Sequence, residues 1–326
     1  MCMDVPPSCS SPGTKSNVAL AGARLRIIVG PTAAGKSALV MALAADVPLA
    51  ILSADSRQIY RGFDIGTAKP ERADREAVPH LGVDVAEPAD RYSAARWAAA
   101  ARAWIRQARA LRRDPVVVGG TGFYIRALTM PLFDAPPLDD AARRGLQRHL
   151  ATHSTDTLRR WCVQLDRPRA HLGRPQLVRA IEVALLTGVP ISTWHERPGR
   201  APDLPARYLV VDPGATLHQR IASRVDAMLA AGWEAEVRAL LQVVDDDAPA
   251  WNATGYRSIR DLVRGALSRT EALEHIMIHT RQYAKRQRTW FRHQLPGDDV
   301  TLLDPMRPDA HVRLRRWWNA DDETLP

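Results

Sequence analysis

The run Gly30-Pro-Thr-Ala-Ala-Gly-Lys-Ser37 fills the pattern GxxxxGK[ST] directly after the apolar stretch Leu25 to Val29. Each residue type in it suits phosphate. Glycines let the backbone fold tightly so that successive N–H groups point inward at phosphate oxygens, and a helix following the loop adds its positive N-terminal end. Lys36 supplies a point charge, and the Ser37 hydroxyl can ligate Mg²⁺. Gly30, Pro31, Thr32, Ala33, Ala34, Gly35, Lys36 and Ser37 therefore read as the seat of a diphosphate or polyphosphate. The loop alone does not say whether phosphate is itself transferred. Asp55, in Ser53-Ala-Asp-Ser56, follows the next apolar run and suits three roles: a group facing the phosphate site, a cap on a following helix, or a Mg²⁺-associated acid as in kinases.

These residues need a scaffold, and the apolar runs supply one. Leu25–Val29, Leu49–Leu52, Val116–Val118 and Tyr208–Val211 are short, β-branched or apolar, and end in polar residues or glycine, as buried parallel strands do. Between the second and third, Ala94, Trp97, Ala98, Ala101, Ile105 and Ala108 recur at helical spacing behind a Ser93 cap. Strand, helix, strand is the grammar of an α/β core. Pro131, Pro136 and Pro137 then open a region without strand signals, which Pro198, Pro202 and Pro205 close. The expected organisation is a disordered leader over 1–22, a P-loop α/β core over 23–130 and 206–326, and a helical insertion over 131–205. Helices are expected over Thr216–Leu241 and Thr270–Leu295.

Composition bounds the partners. With 46% hydrophobic and 25% charged residues the chain is globular, and its formal charge of +9 points to a polyanion, most commonly nucleic acid. Arginine dominates. Lysine survives only at Lys15, Lys36, Lys69 and Lys285, where, outside the leader, a compact ammonium serves better than a planar guanidinium. Projected at about 100° per residue, Arg281, Lys285, Arg288 and Arg292 form a cationic ridge opposite Leu273, Ile276, Tyr283, Trp290 and Phe291. Such a ridge, with no carboxylate in it, favours an anionic partner. Cys2, Cys9 and Cys162 have no metal-ligand spacing, and neither an export signal nor a run of roughly 18 apolar residues is present, so a cytoplasmic protein without a membrane is expected.

Several further segments occur in a fixed order: Asp55-Ser-Arg-Gln-Ile-Tyr60, Asp64-Ile-Gly-Thr-Ala-Lys-Pro70, Val78-Pro-His80, Gly119-Gly-Thr-Gly-Phe-Tyr124, Gly232-Trp-Glu-Ala-Glu-Val237, Gly255-Tyr-Arg257 and Thr280-Arg-Gln-Tyr-Ala-Lys-Arg-Gln287. From about residue 24 to about 295 the chain resembles the tRNA dimethylallyltransferases, the bacterial delta-2-isopentenylpyrophosphate transferases. The resemblance implies a monomer that transfers a dimethylallyl group from dimethylallyl diphosphate to N6 of adenosine 37, beside the tRNA anticodon, with Mg²⁺. It implies Asp55 as general base, Thr121 as a contact to the target nucleotide, and Lys36 and Arg257 as clamps on the leaving diphosphate. On the anticodon stem-loop it implies contacts from Asp55, Ser56, Arg57 and Gln58, from Asn252, Gly255, Tyr256 and Arg257, and from Lys285, Arg286, Gln287, Arg288 and Arg292, with Arg281 on the same ridge. In the insertion it implies Arg179 and Arg143, or Arg144 one residue on. Leu172-Gly-Arg-Pro-Gln176 departs from the family's usual sequence, whereas Arg179-Ala-Ile-Glu-Val183 keeps to it.

The competing reading is a P-loop small-molecule or nucleoside kinase in which Asp55 or Asp212 organises Mg²⁺. It leaves the basic C-terminal helix without a task. His80 and His149 read as surface or core residues, and Trp161, Trp194, Trp317 and Trp318 as packing residues.

Overall fold

Parallel pairing carries the architecture. The computed structural model describes residues 24–130, 138–196 and 204–320. The leader and the boundary prolines Pro131, Pro136, Pro137, Pro198 and Pro202 lie outside the described residues. Strands β1 (Leu25–Val29), β2 (Leu49–Ala54), β3 (His80–Leu81), β4 (Asp114–Gly119), β5 (Ala206–Val211) and β6 (Val300–Leu303) form one sheet in the order β3-β2-β4-β1-β5-β6. Every pairing in it is parallel. The four expected strands are its interior, and β3 and β6 are added at the edges.

Side chains on successive strand residues point to opposite faces. Ile27, Val29, Leu52, Val117, Tyr208 and Val210 face one core with Trp97, Ala101 and Ile105 of α3 (Ala94–Ala110) and residues of α4 (Gly122–Thr129). Ile28, Ile51, Val116, Val118, Leu209 and Val211 face the other. There they meet Leu39, Val40 and Leu43 of α1 (Lys36–Ala44) and Trp317 and Trp318 at the chain's last described helix (Ala310–Asn319). Between α1 and α3 lies the short α2 (Arg72–Ala77). Burial on both faces explains why the strands read as continuous apolar runs.

Residues 138–196 contribute α5 (Asp140–Ala151), α6 (Thr155–Leu165), α7 (Arg174–Thr187) and α8 (Ile191–Glu196). Leu150, Leu158, Cys162, Leu177, Ile181 and Ile191 of these helices bury one another in a cluster of their own, with Trp161 and Trp194 packed at its margin. After β5 come α9 (Leu217–Ala230), α10 (Trp233–Leu240), α11 (Tyr256–Val263) and α12 (Arg269–Gln294). The last opens on a capping box in which Ser268 and Glu271 satisfy each other's backbone N–H groups. No helix among the described residues is long and apolar enough to cross a membrane.

The segment after β2 is held by an ammonium. Lys69 is 9% exposed; its Nζ donates to the Tyr60 carbonyl and pairs with Asp64 and Asp84. Burial pushes the Asp84 carboxyl up, but hydrogen bonds from Lys69 and Arg75 prevail and hold it below the usual range. Lys69→Met strips a buried charge from two carboxylates, so unfolding in urea should show a loss of about 3 kcal/mol. A loss under about 1 kcal/mol would mean that Arg75 alone suffices.

Candidate active site

Register brings the functional ends together. Val29 pairs with Gly119 and Val210, and Ala54 with Gly119, so β1, β2, β4 and β5 all end at one edge of the sheet. The residues just past those ends are Gly30, Asp55, Thr121 and Asp212. Ligands of open parallel sheets bind at this carboxyl edge.

The phosphate loop turns here into α1. Gly30 has φ +154°, and a Cβ on it would stand 2.1 Å from the Val211 carbonyl oxygen, so only glycine fits. Gly35, with φ +92°, caps α1. Lys36 Nζ donates to the carbonyls of Gly30 at 2.9 Å and Pro31 at 2.8 Å. Burial lowers its pKa to about 7; the neighbouring Arg224 charge adds to the fall and Asp55 opposes it. Ser37 is exposed at the start of α1.

Two cavities meet beside this loop. The first is lined by Ala33, Ala34, Gly35, Lys36 and Ser37 on one side and by Arg220 and Arg224 of α9 on the other. Arg220 Nε also donates to the Ala33 carbonyl at 2.9 Å. The second is lined by Asp55, Arg57, Thr32, Thr280 and Tyr283, with an apolar wall of Ile221, Val225, Met228 and Ile276. Arg224 lines both. Burial lowers the pKa of its guanidinium and Asp55 works against that, which leaves it a cation at any accessible pH. The arrangement sets cations and loop amides at one end, an apolar wall at the other and a carboxylate beside that wall, which suits an anion joined to an apolar group.

Asp55 Oδ1 accepts the Arg57 N–H at 2.8 Å, which fixes the carboxylate in a local turn. Thr121 Oγ1 accepts the Ser56 N–H at 3.0 Å and is hydrogen-bonded to the Tyr283 hydroxyl. Burial, with Asp55 nearby, pushes the Tyr283 phenol up to about 12. Asp212 is engaged elsewhere: its carboxylate takes Arg288 and the Gly214 N–H.

The chain is similar to known proteins in both sequence and fold. A sequence profile described as IPP transferase matches residues 58–294. The chain belongs to the IPP transferase family. A tRNA dimethylallyltransferase of Halorhodospira halophila is 41% identical over 293 residues, which is 87% of this chain and 94% of that protein. A tRNA isopentenylpyrophosphate transferase of Bacillus halodurans has a similar structure, with a TM-score of 0.64 and 30% identity over 91% of this chain and 96% of that one. A eukaryotic dimethylallyltransferase acting on tRNA superposes with a TM-score of 0.74 and 25% identity, over 89% of this chain and 77% of that one.

Within this IPP transferase fold, the residues implied on tRNA divide by environment. Arg281, Lys285, Arg286 and Arg292 are exposed along α12, and Ser56 and Arg57 are half-buried beside Asp55. Arg288 is drawn off the ridge to Asp212 and the Gly214 carbonyl. Arg143 and Arg179 both face the Glu182 carboxylate, which is 1% exposed, at 3.2 Å and 3.6 Å. Gln58 is tied to Ser53 and to the carbonyls of Thr67 and Ala68.

Three implied contacts are internal. Tyr256 is fully buried; its hydroxyl donates to Glu236 at 2.6 Å and accepts the Gly66 N–H at 3.1 Å. A Cβ on Gly255 would meet the Trp233 ring at 2.3 Å, so that glycine serves packing. Gln287 is 5% exposed and projects between Ile276 and Phe291 on the packed face of α12, a signal that the motif match overrode.

Arg257 requires a correction. It is exposed and hydrogen-bonded to Asn252, and it does not line the phosphate-loop cavity, which Arg220 and Arg224 line instead. Sequence reasoning passed over these two, although their i,i+4 spacing beside Ile221 and Val225 placed a cationic pair next to a packed face. Arg224→Gln should weaken inorganic diphosphate binding about 30-fold, whereas Arg257→Gln should stay within about threefold. Titration calorimetry compares them directly, and equal losses would return the clamp to Arg257.

Proposed function

We propose that this protein transfers a dimethylallyl group from dimethylallyl diphosphate to N6 of adenosine 37 in the anticodon stem-loop of tRNA and releases diphosphate, acting in the cytoplasm as a monomer. The observation that carries the reading is the pair of cavities joined at Arg224, one walled by the phosphate loop and one apolar with Asp55 in its wall. Diphosphate is the leaving group. Breaking the allylic C–O bond places charge on it, where the loop amides, Lys36 and Arg224 oppose that charge as it develops. The five-carbon group lies against Ile221, Val225, Met228 and Ile276, away from water.

N6 of adenine is a weak nucleophile because its lone pair is delocalised into the ring, and it becomes acidic as the bond to carbon forms. The Asp55 carboxylate takes that proton. Thr121, hydrogen-bonded to Tyr283 in the wall of the Asp55 cavity, contacts the extruded base. The exposed cations of α12, Arg281, Lys285, Arg286 and Arg292, bind RNA phosphates. Mg²⁺ fits a minimal donor set: Ser37 offers one exposed hydroxyl, and no group of three or more His, Cys, Asp or Glu side chains among the described residues forms a cage, which suits an ion carried in on diphosphate oxygens. When bound, the ion adds positive charge at the diphosphate.

The kinase reading is not favoured. It has no use for the apolar wall around Asp55, and Asp212 is occupied by Arg288. The test is incubation of purified protein and Mg²⁺ with unmodified tRNA and isotope-labelled dimethylallyl diphosphate, followed by digestion to nucleosides. Label on N6 of adenosine is expected; ATP consumption with no label in RNA would overturn the assignment.

A further inference from the structure

Gln287 uses both ends of its amide inside the molecule. Oε1 accepts the Thr32 N–H at 2.8 Å, and Nε2 donates to the Gly120 carbonyl at 2.8 Å. The first partner belongs to the phosphate loop and the second to the turn that carries Thr121. The close approach is built into neighbouring glycines. A Cβ on Gly120 would stand 2.1 Å from Gln287 Nε2 and 3.4 Å from the Gly30 carbonyl oxygen, and one on Gly122 would stand 2.3 Å from the Trp290 ring. Alanine at Gly120 would displace the Gln287 amide, and alanine at Gly122 would press on the Trp290 ring.

The path continues to Asp55. Thr121 follows Gly120 directly and accepts the Ser56 N–H at 3.0 Å, and Ser56 follows Asp55. One buried amide thus connects the loop that would grip the leaving group to the segment that would take the proton. The ladder between β1 and β4 ends at Val29 and Gly119, one residue short of Gly120 and three short of Thr32, while the Thr121 N–H is held by the Ala54 carbonyl at 3.0 Å.

We propose that Gln287 is a positioning residue that holds the phosphate loop in register with Thr121 and Asp55, and not a contact to RNA. The proposal rests on the prenyl-transfer reading above. Two groups that must act on opposite ends of one reacting bond tolerate little drift, and a misplacement of about 1 Å lowers rates about 10²-fold. RNA affinity comes from the exposed cations on the other face of the same helix and is left alone.

Q287M keeps the length of the side chain and removes both hydrogen bonds. Its kcat should fall about 50-fold, and its affinity for inorganic diphosphate should fall about tenfold, because an unanchored loop pre-organises its amides less well. Its affinity for tRNA should stay within about twofold. Q287E adds a readout that simple loss of packing would not move. A neutral carboxyl can accept from Thr32 and donate to Gly120 as the amide does, while the ionised form has no donor and opposes the Gly120 carbonyl. Burial raises the pKa of such a group. The ratio of Q287E to wild-type kcat should therefore rise about tenfold as pH falls from about 8.5 to about 6.

Wild-type diphosphate affinity in Q287M, or weakened tRNA binding with kcat intact, overturns the proposal. Should Q287M fail to fold, Q287E at low pH, where the acid is isosteric with the amide, decides alone, and a pH-independent ratio overturns it. If the wild-type protein prenylates no tRNA, the functional reading falls, while diphosphate affinity still judges the anchoring of the loop.

Discussion

Asp55→Asn should lower the single-turnover rate of transfer to RNA by about 10³-fold, with tRNA and diphosphate affinities within about threefold. The substitution is selective. Asparagine keeps an oxygen to accept the Arg57 N–H, so the turn that Asp55 forms at 2.8 Å survives, and only the proton acceptor is lost. Rapid-quench measurements with saturating tRNA isolate the chemical step. A rate within tenfold of wild type would move the proton to water or to another group, and Asp55 would be left as a local cap. A rise in tRNA Kd with unchanged chemistry would make it an RNA contact.

Lys36→Met should lower kcat/KM for the prenyl donor by about 10²- to 10³-fold, because one donor aimed at developing charge is lost. Lys36→Arg should restore little. Between the Gly30 and Pro31 carbonyls, at 2.9 Å and 2.8 Å, there is a seat for a compact ammonium and not for a planar fork. The wild-type pH profile follows from the same residue. In the free protein Lys36 titrates at about 7, chiefly through burial, with Arg224 lowering it further. A bound diphosphate favours the charged form and raises that value. Binding therefore takes up a proton above pH 7, and affinity is full below pH 7 and falls above it by up to about tenfold per unit. Below about pH 6 the ligand's own phosphate protonates, so affinity peaks between about pH 6 and pH 7. Calorimetry on Lys36→Met should show the alkaline limb flattened; an unchanged limb would assign it to another group.

Local chemistry wrote much of this protein directly into its sequence. The phosphate loop was legible because a turn with φ +154° at Gly30 and +92° at Gly35 admits few residue types, and strand and helix flank it within a few positions. The four interior strands were legible because burial on both faces demands continuous apolar runs. The α12 cations were legible from helical period alone. The edge strands β3 and β6 were not: two and four residues long, they are defined by the neighbour they pair with, and Leu302 in β6 is 72% exposed.

What the tertiary structure decided is which polar side chains point where. Motif order alone put Arg257 on the diphosphate and Gln287 and Tyr256 on RNA. Packing turned Arg257 out to Asn252, buried Tyr256 against Glu236 and Gly66, and drove the Gln287 amide between Thr32 and Gly120. Arg220 and Arg224, more than 180 residues from the loop they face, enter the site because α9 crosses the carboxyl edge of the sheet. Local pattern fixes backbone conformation, since φ and burial period depend on near neighbours. A side chain's partner is set by where distant elements pack, and no spacing along the chain records that.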